Sequence, residues 1–259
     1  VISDIEAYSN YMFGDANSDG KVNVLDYQKV ANMILDPTIQ PEEGTDLFTN
    51  IDINQSEVIE VGDLTAIVNY ILNGDWQGYA AARARLGAES ESLTMNVLSA
   101  ENGRQRIAVN LQNANDYTAF QLDVVLPNGM KLVGAELTDR AGDSHKLMSR
   151  AQLDGSIRML ASSVKGESFK GSEGAVLYID VEGADAANVE LLNILFSDLQ
   201  AGTRAFSLTG ENATAISSVS TFESLKQKVY DLSGRVMNGL KKGVNIIRRA
   251  DGSTQKLVK

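Results

Sequence analysis

The sequence predicts a multidomain chain: a small all-α module built on oxygen-rich loops, an all-β antiparallel sandwich of the jelly-roll kind, and a small C-terminal β module. Three observations carry this. A loop–helix unit occurs twice before residue 76, the apolar period changes from 3.6 to 2 near Leu93, and a Ser/Thr/Ala/Asn-rich stretch at 209–222 precedes a basic tail. The expected boundaries are 1–76 for the helical module, 77–91 for a linker, 92–208 for the sandwich, 209–222 for a second linker and 223–259 for the tail.

The first loop is GDANSDGKVNVLD at 14–26. Numbered from Asp15, it places Asp15, Asn17, Asp19, Lys21, Asn23 and Asp26 at positions 1, 3, 5, 7, 9 and 12, the ligand order of an EF-hand-type calcium loop. Calcium takes six to eight oxygens, and alternate residues of a tight loop aim short oxygen side chains at one point. Gly20 at position 6 permits the sharp turn, and position 7 contributes its backbone carbonyl, so the Lys21 side chain is no obstacle. The second loop, DINQSEVIEVGD at 52–63, starts 37 residues later and offers Asp52, Asn54, Ser56, Val58, Glu60 and Asp63 in the same order. Here Glu57 fills position 6 and Ser56 replaces the acid at position 5, so this second calcium site is expected to be the weaker, and Asp15→Ala to cost more stability than Asp52→Ala. Two Asn/Asp-rich turns that cap helices without metal are the plain alternative.

Each loop runs into an amphipathic helix. DYQKVANMIL (26–35) aligns without a gap with DLTAIVNYIL (63–72), and both carry apolar residues at i, i+3, i+4, i+7 and i+8. Pro37 stops the first helix and Gly74 closes the second. The duplicated unit, carried by residues 13–76, resembles the type I-like dockerin family. That resemblance implies two calcium ions and a protein partner of the cohesin kind, met by positions 10 and 11 of each loop and the outward side of each helix. The residues concerned are Val24, Leu25, Gln28 and Lys29 in the first unit and Val61, Gly62, Thr65 and Ala66 in the second. These sets differ in size and charge, which argues against symmetric two-way docking. Trp76, the single tryptophan, is expected to pack on this module.

Charge is uneven. Residues 1–79 hold 14 acids and 2 bases, whereas 223–259 hold 3 acids and 9 bases. Bound calcium would offset the acidic cluster. The basic tail has neither a basic helical stripe nor interleaved aromatics, so no nucleic-acid partner is expected. The chain has no cysteine and no run approaching the ~20 apolar residues of a membrane span. It opens at Val1 without a basic-then-apolar leader, as expected of a secreted chain after signal-peptide removal. The stretch 75–92 reads as a short helical linker running into a polar loop.

From Leu93 onward, alternating runs occur at 93–99, 106–113, 119–127, 130–137, 145–153, 156–163, 175–183 and 191–199, separated by Gly, Asn, Asp and Pro. Eight or nine such strands predict the two-sheet sandwich. AFQLDVVLPNGMKLVGAEL, DGSIRMLASS and GAVLYIDVEG resemble stretches of cohesin domains, the first containing a strand that faces the partner. Carbohydrate-binding modules share this architecture, and a glycan-binding surface protein with a merely structural dockerin is the alternative function. Its candidate aromatics are Tyr117, Phe120, Phe169, Tyr178, Phe196 and Phe206, with Tyr178 read as core or core-adjacent. The tail at 228–259 resembles Bacteroidetes type IX secretion sorting domains through Tyr230, Asp231, Gly234, Arg235, Gly239, Gly243 and Gly252, although Asn245 stands where an aromatic is usual. A three-stranded β module without targeting use is the alternative.

No catalytic constellation is found: there is no P-loop, HExxH or nucleophile elbow, and His145, the single histidine, reads as a surface residue. The sequence therefore points to a non-catalytic, secreted or cell-surface adapter. It would use calcium-dependent protein–protein docking in a cellulosome-like or polysaccharide-utilisation setting, with its own sandwich or another copy among the possible partners.

Overall fold

A computed structural model describes residues 12–74, 76, 91–101, 103–183 and 185–208, together with strands at 228–230, 236–237, 244–248 and 254–258. The chain divides into two compact units, Val1–Ala215 and Ile216–Lys259. The expected linkers lie almost wholly outside the described residues.

In the first unit, α1 (Val24–Leu35) starts at Asn23, whose side chain accepts from Leu25 N, while Asp26 reaches back to Asn23 N at 2.8 Å. Capping the otherwise orphaned N–H groups sets the helix start. A 3-10 turn over Pro37–Ile39 follows, and a short helix α2 (Asp46–Ile51) that the sequence reading did not anticipate packs Phe48 and Ile51 under the pair. Helix α3 (Val61–Asn73) ends at Gly74, which takes the left-handed conformation at φ +71°. Val30, Ala31 and Ile34 of α1 meet Leu64, Ile67 and Val68 of α3 in one buried cluster. The in-register apolar stripes thus face each other, as the duplication predicts. Trp76 stacks on Tyr70 with centroids 4.2 Å apart, so the expected packing is observed.

Among the described residues, the sandwich has nine strands. They are β1 (Ser92–Glu101), β2 (Arg104–Gln112), β3 (Tyr117–Val125), β4 (Lys131–Leu137), β5 (His145–Ala151), β6 (Ile157–Ser163), β7 (Ala175–Glu182), β8 (Glu190–Asp198) and β9 (Thr203–Phe206). One antiparallel sheet runs β1-β2-β7-β4 and the other β5-β6-β3-β8-β9. Between them, Phe120, Leu122 and Val124 of β3 interdigitate with Ile107, Val109, Leu177, Ile179 and Phe196. Period-2 alternation assigns these side chains to the inner face.

Strand β3 breaks the pattern of a sheet with one solvated side, because Tyr117 through Val124 are all buried. The inward residues face the sandwich core, and the outward ones, Ala119, Gln121 and Asp123, are covered by α1 and α3. Ala119, Leu160, Leu195 and Ala201 belong to the helices' own apolar cluster. The outer face of this sheet therefore completes the helical module's core, while a second, separate core lies between the two sheets.

In the second unit, β10 (Lys228–Tyr230), β11 (Val236–Met237), β12 (Val244–Arg248) and β13 (Thr254–Val258) form an antiparallel sheet in the order β11-β10-β12-β13. Among the described residues this is four strands, where the plain reading of the tail had three. Tyr230 ends β10 and Asn245 lies in β12, whereas Asp231, Gly234, Arg235, Gly239, Gly243 and Gly252 lie outside the described residues.

Candidate metal loops and docking face

The two loops fold by one hydrogen-bond scheme. At position 1, Asp15 accepts from Asp19 N (3.1 Å) and Gly20 N (2.9 Å), and Asp52 accepts from Ser56 N (2.8 Å) and Glu57 N (2.9 Å). Asn17 and Asn54 at position 3 accept from the same position-5 amides at 2.9 and 3.0 Å. At position 12, Asp26 accepts from Asn17 N and Asn23 N, and Asp63 accepts from Asn54 N and Glu60 N. The backbone repeats as well: Ser18 and Gln55 have φ of +61° and +57°, and Gly20 and Glu57 have +82° and +64°. A non-glycine does sit in the left-handed region at Glu57, where sterics cost about 1–2 kcal/mol.

Among the described residues, no three His, Cys, Asp or Glu side chains gather into a metal-holding group. The loops instead mix Asp with Asn, Ser and backbone carbonyls, a hard, all-oxygen donor set that suits calcium. Burial, and the Glu60 and Asp52 carboxylates nearby, push Asp63 well above the usual carboxylate range. A divalent cation among these groups would offset that penalty, so the residues present fit the ion.

The loops differ in exposure. Ser18, Asp19, Gly20 and Lys21 of the first face solvent, and Asn17 and Asn23 are half-buried. In the second, Asp52, Asn54, Ser56, Glu60 and Asp63 are all buried, Val58 is half-buried, and Gln55 and Glu57 face outward. The sandwich reaches the second loop at Val61 and Gly62, through Gln121 and Thr203.

Polar links join the helices to the β5-β6-β3-β8-β9 sheet and its loops. At α3, Gln121 Oε1 accepts from Val61 N at 2.9 Å, and Thr65 Oγ1 pairs with Ser197 Oγ at 2.8 Å. At α1, Tyr27 Oη pairs with Ser162 Oγ at 2.7 Å. The C-terminal end of α1 is gripped by donors, with Arg158 Nη1 on Ile34 O (3.2 Å), Gln152 Nε2 on Leu35 O (2.8 Å) and Arg150 on Asp36 (2.5 Å). Cations and N–H groups suit the negative end of a helix. Arg158 is itself held by a two-pronged pairing with Asp123 at 2.7 and 2.8 Å.

The two sets of expected contact residues are therefore split. Val61, Gly62, Thr65 and Ala66 are buried, at 0% exposure for Val61 and 3% for Thr65. Val61, Gly62 and Thr65 lie against this chain's own sandwich, where Gln121, Thr203 and Ser197 meet them. Val24 and Leu25 are 54% and 53% exposed, and Gln28 and Lys29 are exposed beside them.

Residues 13–72 match the dockerin type I domain family. This dockerin domain accounts for the helical module, and cohesins are among the solved structures with folds similar to the sandwich. A non-cellulosomal cohesin from Archaeoglobus fulgidus is 14% identical, with 46% of this chain and 85% of that chain covered and a TM-score of 0.37. The sixth cohesin of scaffoldin B from Acetivibrio cellulolyticus, solved with a dockerin, is 12% identical over 46% and 94%, with a TM-score of 0.39. The chitin-binding domain of a Pyrococcus furiosus chitinase is 16% identical over 44% and 99%, at 0.27. The comparison with curated proteins found no match.

Two expectations change. His145 is not on the surface: it is 6% exposed at the start of β5, accepts from Gly142 N through Nδ1, and lies 4.6 Å from the Phe169 ring. Burial lowers its pKa. Of the glycan alternative's aromatics, Tyr117, Phe120, Phe169 and Phe196 are buried and Phe206 packs edge-on against Tyr117 and Phe196, which leaves Tyr178. Tyr178 is half-buried on the outer face, with the Arg106 guanidinium 5.2 Å from its ring centroid. The expectation that Tyr178 lies in or beside the core is thus corrected, because Leu177, Ile179 and Val181 take the inner face of the strand.

Proposed function

We propose that this chain is a non-catalytic, calcium-dependent docking adapter whose dockerin domain is engaged on its own sandwich. One observation carries the reading: α1 and α3 cover the outer face of the five-stranded sheet through paired polar links and a shared apolar cluster. Asp15, Asn17, Asp19, the Lys21 carbonyl, Asn23 and Asp26 would hold one calcium ion. Asp52, Asn54, Ser56, the Val58 carbonyl, Glu60 and Asp63 would hold the other. Each ion would supply positive charge to a cluster of carboxylates, letting them converge and anchor the start of α1 or α3.

The four exposed residues at the start of α1, Val24, Leu25, Gln28 and Lys29, are the surface left for a second protein partner while α3 is held in cis. No helix among the described residues is long and apolar enough to cross a membrane. An extracellular or cell-surface setting, in polysaccharide utilisation, fits the kinds of module present. The C-terminal sheet would serve sorting or attachment.

The test is to place a specific protease site within 77–90 of the full chain, cleave it, and follow the two pieces by size-exclusion chromatography. Co-elution in calcium and separation in chelator is the expected result. Pieces that separate in calcium would refute docking in cis, and pieces that co-elute equally in chelator would refute its dependence on calcium.

A further inference from the structure

We propose that the sandwich forms the closing wall of the second calcium loop, so that Gln121 and β9 govern how fast that loop releases its ion. The inference rests on the calcium reading above. Two neighbouring residues of the second loop, Val61 and Gly62, meet the sandwich, at β3 and β9. Val61, next to Glu60, donates its backbone N–H to Gln121 Oε1 at 2.9 Å. A Cβ built on Gly62 would lie 2.3 Å from Asn54 Nδ2, 2.8 Å from Thr203 Cγ2 and 3.2 Å from Glu60 Oε1. Asn54 in turn donates to Glu60 Oε1 at 3.1 Å. The position-3 and position-9 side chains are thus packed against a glycine whose other neighbour is strand β9. Gly62 is backed by Thr203 and by the Gln121 bond beside it, which limits movement of the two side chains towards the sandwich.

Among the described residues, no strand backs the first loop in this way. Its residues 18–21 are exposed, and the corresponding positions 10 and 11, Val24 and Leu25, face outward. Two loops with the same internal hydrogen bonds therefore differ in how their ligands reach solvent. Because coupling between sites is reciprocal, cis docking slows loss of the ion from the second loop, and the filled loop strengthens docking. The loop with the poorer ligand set is then the one that holds its ion longer.

Calcium-loaded full-length protein mixed with a fluorescent chelator in a stopped-flow instrument tests this. Two release phases are expected. Asp15→Asn removes the fast phase and Asp52→Asn the slow one. Gln121→Ala, which deletes one hydrogen bond to a helix N–H, speeds the slow phase about three- to tenfold and leaves the fast phase unchanged. Arg106→Gln, on the opposite sheet, alters neither. Thr203→Ser, a milder change that removes only the methyl against Gly62, speeds the slow phase by a smaller factor and serves if Gln121→Ala fails to fold by circular dichroism. A slow phase assigned to the first loop, or one unmoved by folded Gln121 and Thr203 variants, would overturn the inference while leaving calcium binding intact. Equilibrium dialysis showing no bound calcium would overturn both the inference and the reading it rests on.

Discussion

Arg158→Met is the most informative single perturbation of the cis-docked state. The Arg158 and Asp123 side chains are 16% and 6% exposed and pair at 2.7 Å, so water screens them little. Removing the guanidinium leaves Asp123 Oδ2 with the Asn193 amide at 2.7 Å but without its cation. Stranding one partner of a buried pair costs roughly 3–5 kcal/mol. The same change frees Ile34 O at the end of α1, and a hydrogen bond from a charged donor is worth about 1.5–3 kcal/mol when it is fully formed. At 3.2 Å it falls at the long end of the range, so the lower figure applies. These contributions overlap because they share one side chain, and about 4 kcal/mol is the expected total. For a folded unit of this size that corresponds to a fall in Tm of about 8–16 °C. Urea unfolding in calcium, followed by circular dichroism, measures it. In the cycle, Asp123→Leu with Arg158→Met should cost less than the sum of the two single changes, because no charge is left stranded. A single-variant loss under 1 kcal/mol, or strict additivity in the cycle, would refute the claim that this pair is buried beneath α1.

Four other outcomes are expected. Because burial lowers the folded-state pKa of His145, the unfolded chain binds the proton more readily, so stability falls as pH drops through about 6.5 towards the folded value; His145→Gln should flatten that slope in pH-dependent thermal melts. Gly14→Ala, at φ +80° with a Cβ 2.5 Å from the indole of Trp76, should cost about 1–3 kcal/mol and shift the emission of the only tryptophan. Glu57→Gly, which relieves a left-handed φ of +64°, should raise the unfolding free energy measured by urea titration in calcium by about 0.5–1 kcal/mol, the larger backbone entropy of glycine taking back part of the gain. Asp52→Ala should lower Tm in calcium more than Asp15→Ala, the reverse of the ranking from ligand type, because Asp52 belongs to the loop enclosed by the sandwich; equal losses would show that enclosure adds nothing.

Much of the fold was legible in local sequence. The first loop shows a metal-ligand order, the second repeats it with two departures, and one of these, Glu57, takes the backbone angle the motif demands. Both long helices start at capped residues and end where Pro37 and Gly74 require. The strand runs match β1–β8 closely, whereas β9, four residues long, was too short for alternation to register. Helix α2 was missed for a similar reason, since six residues do not span two turns of a period.

The covered face of the sheet was not legible. Ala119, Gln121 and Asp123 alternate with Phe120, Leu122 and Val124 as a solvated face would, because period 2 assigns side chains to two faces without saying what lies over either. Small and polar outward residues suit water, and they equally suit helices that bring their own hydrogen-bond partners. His145 was misplaced by the same logic, since its polar neighbours are satisfied within the protein, Ser144 by Ser163 and Glu167.

The two loops, their helices and the alternating strands follow from local sequence, because ligand spacing, caps and periodicity act over a dozen residues or fewer. Only the tertiary structure decided that the dockerin lies on its own sandwich, that Val61, Gly62, Thr65 and Ala66 are buried while Val24, Leu25, Gln28 and Lys29 remain exposed, and that one loop is enclosed and its twin open. Those outcomes depend on contacts such as Val61–Gln121 and Tyr27–Ser162, between residues 60 and 135 apart in the chain. No local pattern encodes such contacts; they arise from the packing of complementary surfaces.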